Sequence, residues 1–216
     1  MKKILLFFLP ITILIAACTK KKDDGASTGK QGPRAGSKWV YSFKEYETNQ
    51  TPSIIDLELT ARDTIIDGTD WLGISYKVAG SGSVPVNIYA LKAKAGGWWI
   101  KSFTSGQSGL WLAYPVNIGQ VYEMRNPVGQ DYGFVSSPPL PVQVFSVTYT
   151  RDMNGVTYSG LIQAGYTKQF SGGNTLSEGI NYRNDGALLF HHFLDQYTAS
   201  TDNHHIVEWD LKSFTR

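Results

Sequence analysis

The chain of 216 residues contains a single cysteine, Cys18, so no disulfide can form within it. Burial and sheet hydrogen bonds must therefore hold the fold together. Basic charge is also scarce after Arg34. Residues 1–35 hold seven of the 20 Lys and Arg but two of the 18 Asp and Glu, which leaves 13 basic and 16 acidic side chains for residues 36–216. Because nucleic-acid binding needs a basic face that displaces phosphate counterions, this balance excludes nucleic acid as a partner.

A hydrophobic run long enough to span a membrane is missing. The apolar run from Ile4 to Ile15 has twelve residues and is interrupted by Pro10, whereas a spanning helix needs ~20. Two lysines precede the run and Ala16-Ala17 follow it, which is the order of a cleaved secretory signal. We therefore predict a signal peptide over residues 1–17.

Ile15-Ala16-Ala17-Cys18 resembles the lipobox of bacterial lipoproteins, in which the Cys is acylated and becomes the mature N-terminus. The resemblance implies that Cys18 carries three acyl chains, a firm anchor where one chain holds a protein only marginally. Lys-Lys-Lys-Asp-Asp at 20–24 resembles the signal of surface-exposed Bacteroidota lipoproteins. The alternative is an ordinary secretory signal followed by a solvated, charged tether. We expect an outer-membrane lipoprotein in the cell envelope, and the second signal implies exposure at the surface.

The segment that follows is predicted to be a tether, and the remainder a single domain. Residues 18–35 are rich in Gly, Ser, Lys and Asp and have little apolar surface to bury, so we expect a flexible, lipidated tether. Residues 36–216 are enough for one core and do not require two domains. We therefore place one β domain at 36–216.

Helical periodicity is absent, and strand alternation takes its place. Ile55, Leu57, Leu59 and Ala61 alternate with polar residues, the pattern of a half-buried strand. Short alternating runs separated by Gly, Pro and Asn recur along the domain. They predict an all-β, single, mostly antiparallel domain of about 11–12 strands, either a curved sheet or half-barrel, or a sandwich. We predict a long irregular loop over 126–141.

Three short motifs resemble uncharacterised Bacteroidota lipoproteins. Residues 36–41 look like their Gly-x-x-Trp-x-Tyr opening, 112–120 like a Leu-x-x-Pro piece, and 208–214 like a closing strand. Some of those proteins form a curved antiparallel sheet like the half-barrel of lipoprotein carriers, so the resemblance implies that shape. It implies no reaction.

Aromatic residues are the main candidates for a binding surface. Exposed aromatic rings can stack on sugars or line an apolar cleft, and the alternative is that they fill a large β core. The candidates are Trp98, Trp99, Trp111 and Tyr114. We predict a non-enzymatic binding domain without a cofactor, tethered to the membrane by its lipid. Its ligand is a lipid or other apolar molecule, a glycan, or an envelope protein.

The four histidines, in the pairs at 191–192 and 204–205, suggest the alternative function. His192 and His205, with Asp195 or Asp202, offer a metal site, although their spacing matches no metal motif. Strand-end histidines that are merely solvated or packed are the simpler interpretation. Gly-x-Ser-x-Gly does not occur within the predicted domain at 36–216, and the chain has no phosphate loop or dinucleotide fingerprint. The alternative is therefore a cell-envelope hydrolase, glycan-directed or metal-dependent, near the His191–His205 hairpin.

Overall fold

The structure is a computed structural model that describes residues 32–103, 105–125 and 139–216. The predicted signal peptide, Cys18, most of the predicted tether and most of the predicted irregular loop lie outside these ranges. Within them the chain is almost entirely β, with one short 3-10 turn at Ser171–Gly173. The strands are β1 (Lys38–Glu47), β2 (Ser53–Ile66), β3 (Thr69–Val78), β4 (Val86–Lys94), β5 (Gly97–Ser102), β6 (Ser108–Ala113), β7 (Val121–Met124), β8 (Leu140–Met153), β9 (Val156–Gln169), β10 (Thr175–Tyr182), β11 (Leu189–Thr198) and β12 (Asn203–Thr215).

The strands form a single antiparallel sheet in the order β6-β5-β4-β3-β2-β1-β12-β11-β10-β9-β8-β7. Neighbours in this sheet are consecutive in sequence except β1 and β12, which join the two ends of the domain. The edge strands β6 and β7 lie close to each other. The backbone N–H of Arg125, directly after β7, donates to the carbonyl of Leu110 in β6 at 2.7 Å. The sheet therefore curls into a nearly closed barrel. This confirms the all-β antiparallel domain, in its curved-sheet form.

One end of the barrel is covered by residues 183–188, between β10 and β11, which we call the closing loop. The Trp39 indole N–H donates to the carbonyl of Ala187 at 3.1 Å. The Trp98 indole N–H donates to the side-chain oxygen of Asn184, also at 3.1 Å. Two indoles from different strands thus fix the closing loop across this end of the barrel.

The β8–β9 hairpin forms a partial second layer outside the sheet. Its pairing shifts register at three places, and such bulges bend a ladder. At the hairpin tip, the Asn154 side-chain N–H donates to the Leu211 carbonyl on β12 at 3.1 Å, and Met153 is buried. Tyr158 meets Phe190 of β11 edge-on, with ring centroids 5.0 Å apart. The hairpin therefore covers part of the outer face of β10–β12.

Two strands differ from the sequence prediction. The alternating pattern predicts separate strands at 156–164 and 166–170, whereas β9 runs without a break from Val156 to Gln169. Strand β10 lies in a stretch to which the pattern assigns no strand. Gly165 suggests a break in β9, yet it serves packing, because a Cβ there would overlap the Glu178 carbonyl oxygen. The number of strands agrees with the prediction because the two differences compensate.

Candidate functional site

The interior of the barrel contains an apolar cavity of about 400 Å³, which we call the inner cavity. Strands β1, β2, β3, β4, β6, β11 and β12 contribute to its wall, and every side chain in that wall is aliphatic or aromatic. The lining residues are Tyr41, Phe43, Ile55, Leu57, Leu59, Tyr76, Val78, Ile88, Tyr89, Trp111, Leu189 and Trp209. A space of this size falls in the range of about 300–1,000 Å³ typical of small-molecule sites.

Strand β1 organises the wall because it pairs with both β2 and β12. Phe43 lies opposite Ile55 on one side and opposite Trp209 on the other. One strand further along, Leu57 of β2 lies opposite Val78 of β3. Since alternate residues of a strand share a face, these pairings bring one apolar row from each strand to the same interior surface.

Aromatic contacts hold the wall in shape. The Trp209 ring meets Tyr41 and Phe43 edge-on, with centroids 5.8 and 5.2 Å away. Across the cavity, Tyr89 and Trp111 are tilted against each other at 6.0 Å. Such pairs contribute about 0.5–1.5 kcal/mol each beyond the area they bury. The inner cavity is therefore largely formed before any ligand arrives.

The exposure of the lining residues locates the mouth of the cavity. Ile55 and Val78 are 40% and 43% exposed, whereas Leu57 and Trp111 are 5% and 4% exposed. Ile55 lies near the start of β2 and Val78 ends β3. The mouth is thus at this edge of the barrel, and the space deepens from there toward the closing loop.

The few polar atoms in the wall are neutral. The Tyr41 hydroxyl donates to the Leu189 carbonyl at 2.9 Å. Burial, with a smaller contribution from Tyr89, raises the pKa of Tyr41 well above its usual value. Burial likewise raises the pKa of Tyr89. A carboxylate or phosphate inside would lose its hydration without gaining a cation. The inner cavity therefore suits uncharged, apolar groups.

The four aromatic candidates do not form one surface. Trp111 is the member that lines the inner cavity. Trp98 is buried in the core by the closing loop, while Trp99 lies on the opposite face with the Lys94 ammonium 4.4 Å from its ring centre. Tyr114 is 40% exposed and lines a separate, more polar pocket beside the closing loop.

The most important lining residues are not among the four aromatic candidates. Tyr41 and Phe43 belong to an alternating run that predicts a strand, and Trp209 lies in the motif at 208–214 that resembles a closing strand. Their alternation indicates an inward face. It carries no information on whether that face packs solidly or borders a cavity, since this depends on how β1 meets β12.

Each histidine has its own carboxylate partner. His192 lies opposite Trp209 in the β11–β12 ladder, whereas His205 lies opposite Gln196, further along β11. The described part of the chain contains no group of three or more His, Cys, Asp or Glu that could hold a metal ion. The pairs are His191–Asp210 (2.8 Å), His192–Glu178 (2.6 Å), His204–Asp195 (2.9 Å) and His205–Glu45 (3.4 Å).

The first two pairs lie on opposite faces of the sheet. The His192–Glu178 pair points inward and both side chains are 1% exposed. The His191–Asp210 pair lies under the β8–β9 hairpin, on the outside. There, burial lowers the pKa of His191 despite its bond to Asp210. Burial acts to raise the pKa of Asp210, but hydrogen bonds from His191 and Lys44 outweigh it and hold the pKa well below the usual range.

Comparison with known proteins leaves the geometry as the guide to function. The chain matches no protein-family model and no curated protein sequence. Across residues 32–103, 105–125 and 139–216, no helix has both the length and the apolar character required to cross a membrane. The inner cavity is the feature of the fold that most directly indicates a ligand.

Proposed function

We propose that this protein binds an apolar molecule, or the apolar part of an amphipathic one, in the inner cavity. The observation that carries the proposal is the wall itself, in which twelve aliphatic or aromatic side chains surround about 400 Å³. A solid core would place those side chains against one another, because protein interiors are close-packed. An open apolar space with a mouth suits a guest of the same polarity.

The hydrophobic effect is large enough for useful affinity. A guest with about twelve buried methylenes gains about 10 kcal/mol, at ~0.8 kcal/mol each. Association costs at least about 4 kcal/mol, which leaves about 6 kcal/mol and a Kd on the order of tens of micromolar. A charged head group stays at the mouth near Ile55 and Val78, where water is accessible.

The anchor is part of the same proposal. The sequence at Cys18 supports a lipoprotein of the outer membrane, with residues after Cys18 acting as the tether. Tethering keeps the cavity in the cell envelope, where apolar and amphipathic molecules are concentrated. The protein then acts as a binding component, with no reaction of its own.

Adjacent isoleucines on β2 provide a matched test. Ile55 lines the inner cavity, whereas its neighbour Ile54 is 59% exposed and points to the other face. Binding of the neutral probe N-phenyl-1-naphthylamine is followed by its fluorescence. Ile55→Arg is expected to weaken probe binding at least tenfold because it places a cation at the mouth, and Ile54→Arg to leave it unchanged. Equal affinities for the two variants, or no saturable binding by the wild type, would refute the proposal.

A further inference from the structure

A second concave site lies on the outer face of the sheet, beneath the β8–β9 hairpin. It is a pocket of about 300 Å³, here called the outer pocket, whose lining includes Phe145 and Arg151 of β8, together with residues of β9 to β12. The inner cavity is on the opposite face of the sheet. The two spaces share no lining residue.

Two rows of directly paired residues cross the outer pocket, and all of them line it except Gly165 and Asp210. The first row is polar and consists of Gln163, Asn181, His191 and Asp210. The second row consists of Gly165, Gly179, Phe193 and Glu208. Directly paired residues of neighbouring strands have Cβ atoms about 4.5–5.5 Å apart, so hydrogen-bonding groups lie beside an aromatic ring.

Gly179 leaves an open place in the second row. A Cβ added there would meet no atom within 4 Å, and its φ is not in the left-handed region. Its partner Gly165 differs, since a Cβ there would overlap a backbone carbonyl oxygen. Glycine inside a strand is less stable than alanine would be there, and it can mark close approach of a ligand. Neither backbone conformation nor packing requires glycine at 179.

Two buried polar atoms of the outer pocket have no hydrogen-bond partner among the described residues. Asn181 is 3% exposed, and its side-chain N–H donates to the Ile180 carbonyl, which leaves Oδ1 as an acceptor. The Nε of Arg151 is a donor that likewise has no hydrogen-bond partner among the described residues. A buried polar atom without a hydrogen-bond partner destabilises the fold. Both atoms belong to residues that line the outer pocket, so a ligand that offers both a donor and an acceptor, as a hydroxyl group does, would satisfy them.

The charges around the outer pocket balance one another. Lys44 contacts Asp210 at 2.9 Å and Glu208 at 3.5 Å, and an Arg151 nitrogen lies 3.8 Å from Asp210. His191 also bonds Asp210, and burial lowers its pKa, so the imidazole is neutral at pH 7. Two cations thus face two anions. Neither an anionic nor a cationic ligand finds an unpaired opposite charge here.

We infer that the outer pocket is a second binding site, for a neutral sugar ring. A pyranose presents hydroxyls at its edge and C–H groups on its faces. The hydroxyls match Asn181, His191 and Arg151, while the C–H faces match the rings of Phe145 and Phe193, whose π faces carry partial negative charge. The open place at Gly179 gives the ring room to lie against the sheet.

The test uses the full protein with four named sugars: glucose, galactose, mannose and N-acetylglucosamine. Saturation-transfer NMR reports which of them bind, and titration calorimetry gives the affinity. Gly179→Leu fills the outer pocket and is expected to weaken binding at least tenfold. Gly82→Leu is the matched control, because Gly82 also has no atom within 4 Å of an added Cβ and a φ outside the left-handed region. It is expected to bind sugar like the wild type.

The inference is overturned if none of the four sugars gives saturable binding to the wild type, or if Gly179→Leu binds as well as Gly82→Leu. Binding of N-phenyl-1-naphthylamine in the inner cavity is measured on the same variants and is expected to be unchanged, so the two sites fail or succeed separately. If Gly179→Leu does not fold, Phe145→Ala replaces it. Phe145 is 53% exposed, so its loss leaves the core intact, and at least a threefold loss of sugar affinity is expected.

Discussion

Replacing His192 by leucine is expected to lower the free energy of unfolding by about 1–3 kcal/mol, the usual cost of leaving a buried polar group without its hydrogen-bond partner. The His192 Nε2 lies 2.6 Å from the Glu178 Oε1, and both side chains are 1% exposed. After the replacement Glu178 remains buried. The Tyr166 hydroxyl still hydrogen-bonds it, but water cannot reach the position that His192 occupied.

Replacing both members should restore most of the lost stability. With Glu178→Met and His192→Leu together, the two partners are both removed and the Tyr166 hydroxyl alone loses an acceptor, and replacing both members of a buried hydrogen-bonded pair by apolar groups is often nearly neutral. The double variant is therefore expected to be more stable than His192→Leu alone, by about 1–2 kcal/mol. Urea denaturation of the wild type, Glu178→Met, His192→Leu and the double variant gives the coupling energy between the two side chains.

An exposed pair supplies the control. His204 lies 2.9 Å from Asp195 but its side chain is 42% exposed, so His204→Leu is expected to cost less than about 1 kcal/mol. Both histidines lie in strands, and both substitutions replace an imidazole by the same isobutyl side chain. If His192→Leu costs no more than His204→Leu, the inward pair contributes nothing special, and this account of the interior is wrong.

The other predictions concern acid stability and anchoring. Because the folded state holds the pKa of His191 below its ordinary value, stability is expected to fall as the pH drops below about 6.5. The pKa of Asp210 is also depressed in the folded state. A second loss of stability therefore begins below about pH 4, where this carboxylate takes up a proton in the unfolded chain but not in the folded one. His191→Gln removes the first step, and chemical denaturation across pH 3–8 checks both. Cys18→Ser is expected to release the protein from the membrane fraction and to remove the lipid mass seen by mass spectrometry of the wild type. Retention of the variant in that fraction would contradict the proposed anchor.

The fold could be predicted where each strand face has a single polarity. The alternation from Ile55 to Ala61 marks β2, and the turn at Asp67-Gly68 separates it from β3. The pattern does not predict β10, because the inward-facing side chains of this strand are partly polar and partly apolar. Glu178 points inward in line with Ile180 and Tyr182, where the pattern requires an apolar residue. A buried acid interrupts a period-2 signal although it belongs to the core, since its partner His192 comes from another strand.

The inner cavity could not be predicted because it depends on non-local pairing. Phe43 and Trp209 meet only after β1 and β12, which are far apart in the sequence, have paired in the middle of the sheet. Local alternation assigns both residues to an inward face, but it does not predict that they lie next to each other. The histidines illustrate the same division. Alternation correctly separates His191 from His192, whereas the carboxylates that they contact lie on strands β12 and β10.

Strand β1 also sets where the preceding chain enters the barrel, relative to the mouth of the inner cavity. It enters at Lys38 and Trp39, beside the closing loop, and carries Phe43 toward the mouth of the inner cavity. The chain that leads back to Cys18 thus arrives at the sealed end. Under the anchor proposed at Cys18, the point of attachment would therefore lie at the end of the barrel opposite the mouth of the inner cavity. Because the predicted tether is flexible, the mouth would be free to turn toward the membrane or away from it.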